Sequence, residues 1–353
     1  MLKYIDLHYK PGSSDVVCEY NAMPEGITIE QAAEKIVQDN VGGWHESFPD
    51  KLRPRVFSID YSKNKIKVAY PLSLFEPGNI AQILSMLRHS LSIRFPKKLV
   101  DSFPGPAFGI QGLRKLSRTS RPLVSAAIMH LMHDEEGHAK SAYDAWTGGV
   151  DIIHDHFNIT SHPFNSFSRR IKEVLARQHK AEDRTGEMKF YIPNITASAG
   201  EMMKRAQEVK SLGGRAVMVD MRAGLSSLHE LRNSGPGIAI FSNHDNPLIA
   251  RMLGADIVLG ANIDECIKSF YSKKQAFPVI SGHHPGRIPT LLNNHGSEII
   301  MSFSEGCHEH PSGTFAGARA IRQSLHAAMR KKDLRKFALS NPDLEKALFK
   351  WGF

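Results

Sequence analysis

The sequence predicts an α/β protein in which a small α+β (ferredoxin-like) domain precedes a parallel (β/α)8 TIM barrel. Three observations predict it. From residue 123 onward, short apolar runs rich in Val, Ile, Leu and Ala alternate with helical stretches, the pattern of a parallel sheet covered on both faces. About eight such units fit within roughly 210 residues, which suits a closed barrel better than an open sheet. No GxGxxG follows a first strand to favour a doubly wound sheet.

The elements follow in order. Residues 4–7 and 15–20 read as strands. Residues 29–39 are helical, because Ile29, Ala32, Ala33, Ile36 and Val37 recur at helical spacing. Thr28 is the expected N-cap, with Gln31 completing a capping box. Residues 55–60 and 65–70 alternate apolar and polar around Ser62-Lys63-Asn64 and predict a hairpin. A second helix covers 80–90. The Phe103-Pro104-Gly105-Pro106 break marks the boundary, giving domains at 1–105, 106–332 (the barrel) and 333–353 (a helical tail). The barrel strands fall at 123–129, 150–154, 189–195, 216–220, 238–242, 256–260, 278–281 and 298–303. Helices are expected at 135–146, 165–180, 199–212, 264–271 and 316–331.

Composition narrows the class. The chain has 353 residues, 41% hydrophobic and 23% charged, with mean hydropathy −0.29; these are globular values that argue against disorder or coiled coil. No stretch approaches the ~18 unbroken apolar residues of a membrane helix, so no membrane partner is expected. Cys18, Cys266 and Cys307 are far apart and in no CxxC pair, which argues against a disulfide framework and for a cytoplasmic setting. The net charge is +9. The basic residues are scattered and their densest run, residues 329–336, reads as a solvated helix face, which argues against nucleic acid.

A barrel places chemistry at the C-terminal ends of its strands, and there histidine is over-represented among the 18 in the chain. His154 and His156 stand two apart at a strand end, so period-2 geometry puts both on one side and Asp155 on the other. With His244 or Asp245 after the fifth strand they form a candidate metal or acid–base set, and imidazole ligands suit Zn, Fe, Mn or Ni. Asn194, Ser281, Gly282, His283 and Glu305, in the loops after strands three, seven and eight, are candidate contacts for a small-molecule ligand. Glu305 argues against a phosphate in that last loop, because two negative charges in contact repel. Asp220 reads as a loop cap, and His308 and His310 as structural residues flanking the final helix.

YPLSLFEPG at 70–78 and FPGPAFGIQ at 103–111 are similar to the segments YPLDLFEEGS and FQGPPHGIQ, and by them the chain resembles the RuBisCO large-subunit family. Arg121-Pro122-Leu123, Gly148-Gly149-Val150-Asp151, Ser161-His162-Pro163-Phe164, Asn194-Ile195-Thr196-Ala197 and His310-Pro311-Ser312-Gly313 follow in the family's order over most of residues 20–330. By this resemblance the family's strand-one lysines fall on Met129 and Leu131, the lysine carbamylated to hold Mg on His154, and its acidic partners on His156 and Phe157. The histidine after strand five is retained as His244, followed by Asp245 in place of arginine. Ser281 and Gly282 are retained, His283 replaces a glycine, and Ser304 and Glu305 replace two phosphate-binding glycines. Gln38 takes the place of a glutamate near the retained Gly42 and Trp44, and the loop after strand six is short at Gly260-Ala261-Asn262.

The resemblance therefore implies a divergent, non-carboxylating (type IV-like) member that assembles as a homodimer. Carbamate-dependent Mg is not expected, and His154, His156 and His244 would hold a transition metal instead. Two readings stay open. One is an enolase, isomerase or lyase acting on a small polar carbonyl or sugar-derived substrate. The other is a catalytically inactive binding or regulatory protein.

Overall fold

The computed structural model describes residues 3–23, 26–244, 246–259 and 275–352. Contacts divide the chain into two compact units, Met1–Phe103 and Pro104–Phe353.

The first unit holds strands β1 (Asp15–Asn21), β2 (Arg55–Asp60), β3 (Lys65–Pro71) and β4 (Ser92–Arg94), with helices α1 (Ile29–Val41), α2 (Ile80–Met86) and α3 (Lys97–Val100). The strands form an antiparallel sheet in the order β2-β3-β1-β4. Val16, Cys18 and Tyr20 alternate inward along β1, as a sheet with one buried face requires. The capping box is present: Gln31 N–H donates to the Thr28 hydroxyl, and the Gln31 side chain accepts from Thr28 N–H. The β2–β3 hairpin turns at Asn64, which adopts φ +50°, a conformation that asparagine tolerates better than most residues. Residues 4–7 do not form the expected strand. Ile5 makes an isolated bridge to Val56, and the fourth strand is instead the short β4, paired to β1.

The second unit is a (β/α)8 barrel. Its strands are β5 (Leu123–Ile128), β6 (Ile152–Asp155), β7 (Phe190–Ile192), β8 (Ala216–Asp220), β9 (Ala239–Asn243), β10 (Ile257–Leu259), β11 (Phe277–Ser281) and β12 (Ile300–Ser302). They pair in parallel in the order β7-β6-β5-β12-β11-β10-β9-β8. Between β7 and β8 the circle closes through Met218 N–H to Pro193 C=O (2.8 Å) and Ile195 N–H to Met218 C=O (3.0 Å). Helix α4 (Gly109–Ser117) precedes β5, and α5 (Glu135–Gly148), α6 (Phe167–Thr185), α7 (Ala199–Ser211), α8 (Leu225–Asn233) and α9 (Pro247–Met252) lie between successive strands. Then come α10 (Ile288–His295), α11 (Ser304–His308), α12 (Thr314–Met329), α13 (Leu334–Ala338) and α14 (Pro342–Trp351). The helix expected at 264–271, the short loop at 260–262, Asp245 and Cys266 lie outside the described residues. Cys18 and Cys307 are free and buried.

Inside the barrel, Leu123, Ile152, Phe190, Met218, Phe241, Phe277 and Ile300 form one apolar cluster. Around it, buried carboxylates tie strands to helices. Asp151, just before β6, accepts from Val124 N–H (2.9 Å) and bidentately from Arg121 (2.7 and 2.6 Å), and Arg322 of α12 adds a contact at 3.0 Å. Burial pushes its carboxyl up, but the Arg322 and Arg121 charges outweigh burial and hold it well below the usual range. Removing one partner of such a cluster leaves uncompensated buried charge. Asp151→Asn is expected to lower stability by about 3–5 kcal/mol in urea unfolding. In the wild type, the contribution of Asp151 is present above the ordinary aspartate range and is lost as pH falls below about 4.

Candidate active site at the barrel mouth

The C-terminal end of β6 organises the mouth. Ile152 belongs to the interior cluster, so period 2 sends His154 inward and Asp155 outward. His154 is 5% exposed and sits edge-on to Phe241 of β9, ring centroids 5.3 Å apart. Its Nδ1 lies 3.0 Å from the Asp155 carbonyl oxygen. A carbonyl only accepts, so Nδ1 carries the proton and Nε2 is the bare nitrogen of the neutral ring. Burial lowers the His154 pKa, against the Asp155 carbonyl, which acts to raise it.

Asp155, fully buried, is a junction. Its carboxylate accepts from the Tyr191 hydroxyl (2.7 Å), Asn194 N–H (2.9 Å) and Arg170 (3.2 Å), and His138 Nε2 lies 3.0 Å from Oδ1. Burial alone would push this carboxyl up; Arg170, then His138 and Asn194 N–H, hold it at about 2. One side chain thus joins β6, β7, α5 and α6.

The remaining candidates divide. His156 lies past the end of β6, partly buried, and its Nδ1 accepts from Asn158 N–H (3.3 Å). Burial and then the Arg222 charge lower its pKa. His244 Nδ1 accepts from Asn246 N–H (2.6 Å), a local turn at the start of α9. Among the described residues no group of three or more His, Cys, Asp or Glu is arranged to hold a metal ion. The expected set of His154, His156 and His244 is therefore not assembled: His154 points into the barrel, while the other two are engaged by their own loops. Asn194 is buried with its amide committed to the protein, donating to Phe157 C=O (2.8 Å) and accepting from the Thr196 hydroxyl (2.6 Å). Asp220 caps the turn after β8 and pairs with Arg222 at 2.6 Å.

The loops after β11 and β12 do meet. His283, in the left-handed region at φ +56°, has Nδ1 3.4 Å from Glu305 Oε2. Both side chains are more than half exposed, so the pair adds little stability. Ser281 is exposed at the rim. Gly282 is required for close approach, since a Cβ there would fall 1.9 Å from the Phe303 ring.

Sequence reading missed the role of Asp155, whose partners at 138, 170, 191 and 194 come from α5, α6, and β7 with the turn after it; its one signal was its place on the far side of the His154–His156 alternation. Arg170→Met is expected to leave the Asp155 carboxylate uncompensated. The acid-unfolding midpoint followed by circular dichroism then moves to higher pH, and stability at pH 7 falls by about 3–5 kcal/mol.

The ribulose bisphosphate carboxylase large chain, catalytic domain, matches residues 109–245 and 237–351, and its N-terminal domain matches residues 3–89. A ribulose bisphosphate carboxylase of Methanosarcina mazei is 32% identical, covering 99% of this chain and 98% of its own length. One of Pyrococcus abyssi is 32% identical, covering 100% and 97%. The aligned spans, 421 and 410 positions, exceed the 353 residues here, so both relatives carry stretches that this chain lacks. Among solved structures, the dimeric archaeal Rubisco of Hyperthermus butylicus superposes with TM-score 0.88 at 30% identity over 99% of both chains. The octameric enzyme of Pyrococcus horikoshii, in complex with sulfate, gives 0.89 at 31% over 99% and 96%.

These similarities correct the functional expectation. Relatives aligned along the whole chain are named carboxylases, so the non-carboxylating assignment, the exclusion of carboxylation and the lyase or isomerase reading are not supported. Nor is the inactive binding or regulatory alternative. Fold similarity alone does not name a reaction; what stands against the exclusion is that relatives about a third identical along the whole chain carry the carboxylase name. The expectation of a transition metal in place of carbamate-dependent Mg is corrected on the same ground. What the residues show is narrower: His154 offers no amine to carbamylate and Phe157 no oxygen, so the described side chains do not match that Mg donor set. Two matched domains and full-length relatives at 32% identity place the chain in the RuBisCO large-chain family.

Proposed function

We propose that the barrel mouth is an active centre for ribulose bisphosphate and that the reaction is carboxylation. The observation that carries this reading is similarity along the whole chain to proteins named for that activity. The net charge of +9 favours an anionic substrate. Within the site, His154 is the side chain placed to hold or move a proton, at Nε2, because Nδ1 is fixed on the Asp155 carbonyl. Gly282 and the His283–Glu305 pair form the rim that a substrate passes, and Asn194 keeps the ends of β6 and β7 in register. Dimeric and octameric Rubiscos among the structural neighbours support assembly of this chain as a homodimer. A cytoplasmic setting goes with this reading. No described helix is long and apolar enough to cross a membrane.

The test is incorporation of labelled bicarbonate into acid-stable product, run with ribulose bisphosphate, with and without Mg. The reading expects label that depends on the bisphosphate. Absence of label in every condition overturns it. His154→Ala is expected to lower kcat by about 10²–10⁴-fold with KM little changed, the size of a lost proton-transfer group; an unchanged kcat removes His154 from the site.

A further inference from the structure

A second group of histidines, outside the set above, lies where the β5–α5 loop meets α11. His308, at 9% exposure, is the buried member. Its ring centroid is 5.9 Å from that of His130, which in turn is 5.0 Å from His133. Its Nδ1 faces the Ser141 hydroxyl of α5 (3.4 Å) and the Thr314 hydroxyl of α12 (3.3 Å). His133 Nδ1 is buried with no hydrogen-bond partner among the described residues, whereas His130 is exposed. The same helix is clamped at its other end, where the Ser304 hydroxyl accepts from Ala127 N–H of β5 at 2.8 Å. Glu305, on its first turn, faces His283.

We propose that His308, packed beside His130 and His133, forms an acid-released latch between α11 and the β5–α5 loop, closed while its imidazole is neutral and opened as it takes up a proton. Among the described residues, the groups facing it from the β5–α5 loop are His130, His133 and Asp134, from α5 His138 and the Ser141 hydroxyl, from β5 the Ala127 carbonyl, and from α12 the Thr314 hydroxyl. Three of these are imidazoles that repel a charge on His308. Asp134 acts on His133 in the opposite sense, and the Ala127 carbonyl does so on His308. Burial first, then His130, His133 and His138, push His308 down to about 4. Burial and His130 lower His133 as well.

The sign follows from linkage. The closed form binds its proton more weakly than an open form with an ordinary histidine near 6.5. Closure is therefore fully favoured above about pH 6.5 and weakens as pH falls towards 4. Between pH 7.5 and 5 the open-to-closed ratio rises roughly 30-fold. Opening frees the helix that carries Ser304 and Glu305 at the mouth.

Hydrogen exchange by mass spectrometry at pH 7.5 and 5, corrected for intrinsic rates, tests this on segments 127–134 and 303–309. The expected result is roughly a 30-fold excess loss of protection there relative to β8 and β9, with the acid response abolished in His308→Gln. Should that variant not fold, His130→Gln at an exposed position removes one repelling charge and shrinks the response. An acid response equal in wild type and variants, or spread evenly over the barrel, overturns the latch. So does a His308 that titrates at or above 6.5 in a histidine NMR titration of the wild type.

Discussion

The mouth of this barrel depends on a carboxylate that never reaches it. Asp155 points away from the barrel axis into the layer between strands and helices, where an isolated charge would be strongly disfavoured. It is stable there because Arg170 of α6, Tyr191 of β7, the Asn194 amide just past β7 and His138 of α5 converge on it. Its backbone carbonyl meanwhile fixes the tautomer of His154 on the opposite face. The inward geometry of the candidate site is thus set by outward electrostatics, with period 2 of the strand as the link.

The same device recurs at the other end of the strands. Asp151 stands just before β6 and Asp256 just before β10. Each accepts a backbone N–H from the neighbouring strand, Val124 for one and Ile240 for the other, and each is paired with an arginine, partly buried Arg121 for Asp151 and buried Arg232 for Asp256. Asp256 also receives the Phe108 and Gly109 amides at the start of α4. Paired buried ions are weak net stabilisers but costly to break, so they define the register of strands and helices more than they deepen stability. The apolar interior supplies the stability, and the acidic residues decide which arrangement it adopts.

Periodicity made most of the fold legible. Apolar runs separated by helical stretches gave the barrel strands to within a few residues, and the Thr28–Gln31 pair announced its own cap. Residues 4–7 look like a strand because Tyr4 and Ile5 are apolar, yet they find one bridge to Val56 and no ladder. The three-residue β4 is too short to show a period. The site was less legible, for a physical reason: strand alternation placed His154 inward but stops at the strand end, where His244 turns onto Asn246, and nothing local says that His130 and His308, 178 positions apart, share a contact. The functional inference failed differently. It weighed single substituted positions, His154 above all, against the reaction, whereas similarity along the entire chain supports the carboxylase reading.

The account turns on His154 as an Nδ1-protonated imidazole, held by Asp155 and presenting a bare Nε2 to the substrate. Nitrogen-15 NMR of the histidine rings, with and without ribulose bisphosphate, measures this directly. The account predicts a His154 signal with Nδ1 protonated and Nε2 bare at pH 7.5, and a shift of Nε2 when the bisphosphate is added. A His154 protonated at Nε2, or one indifferent to the bisphosphate while other mouth residues respond, would contradict it.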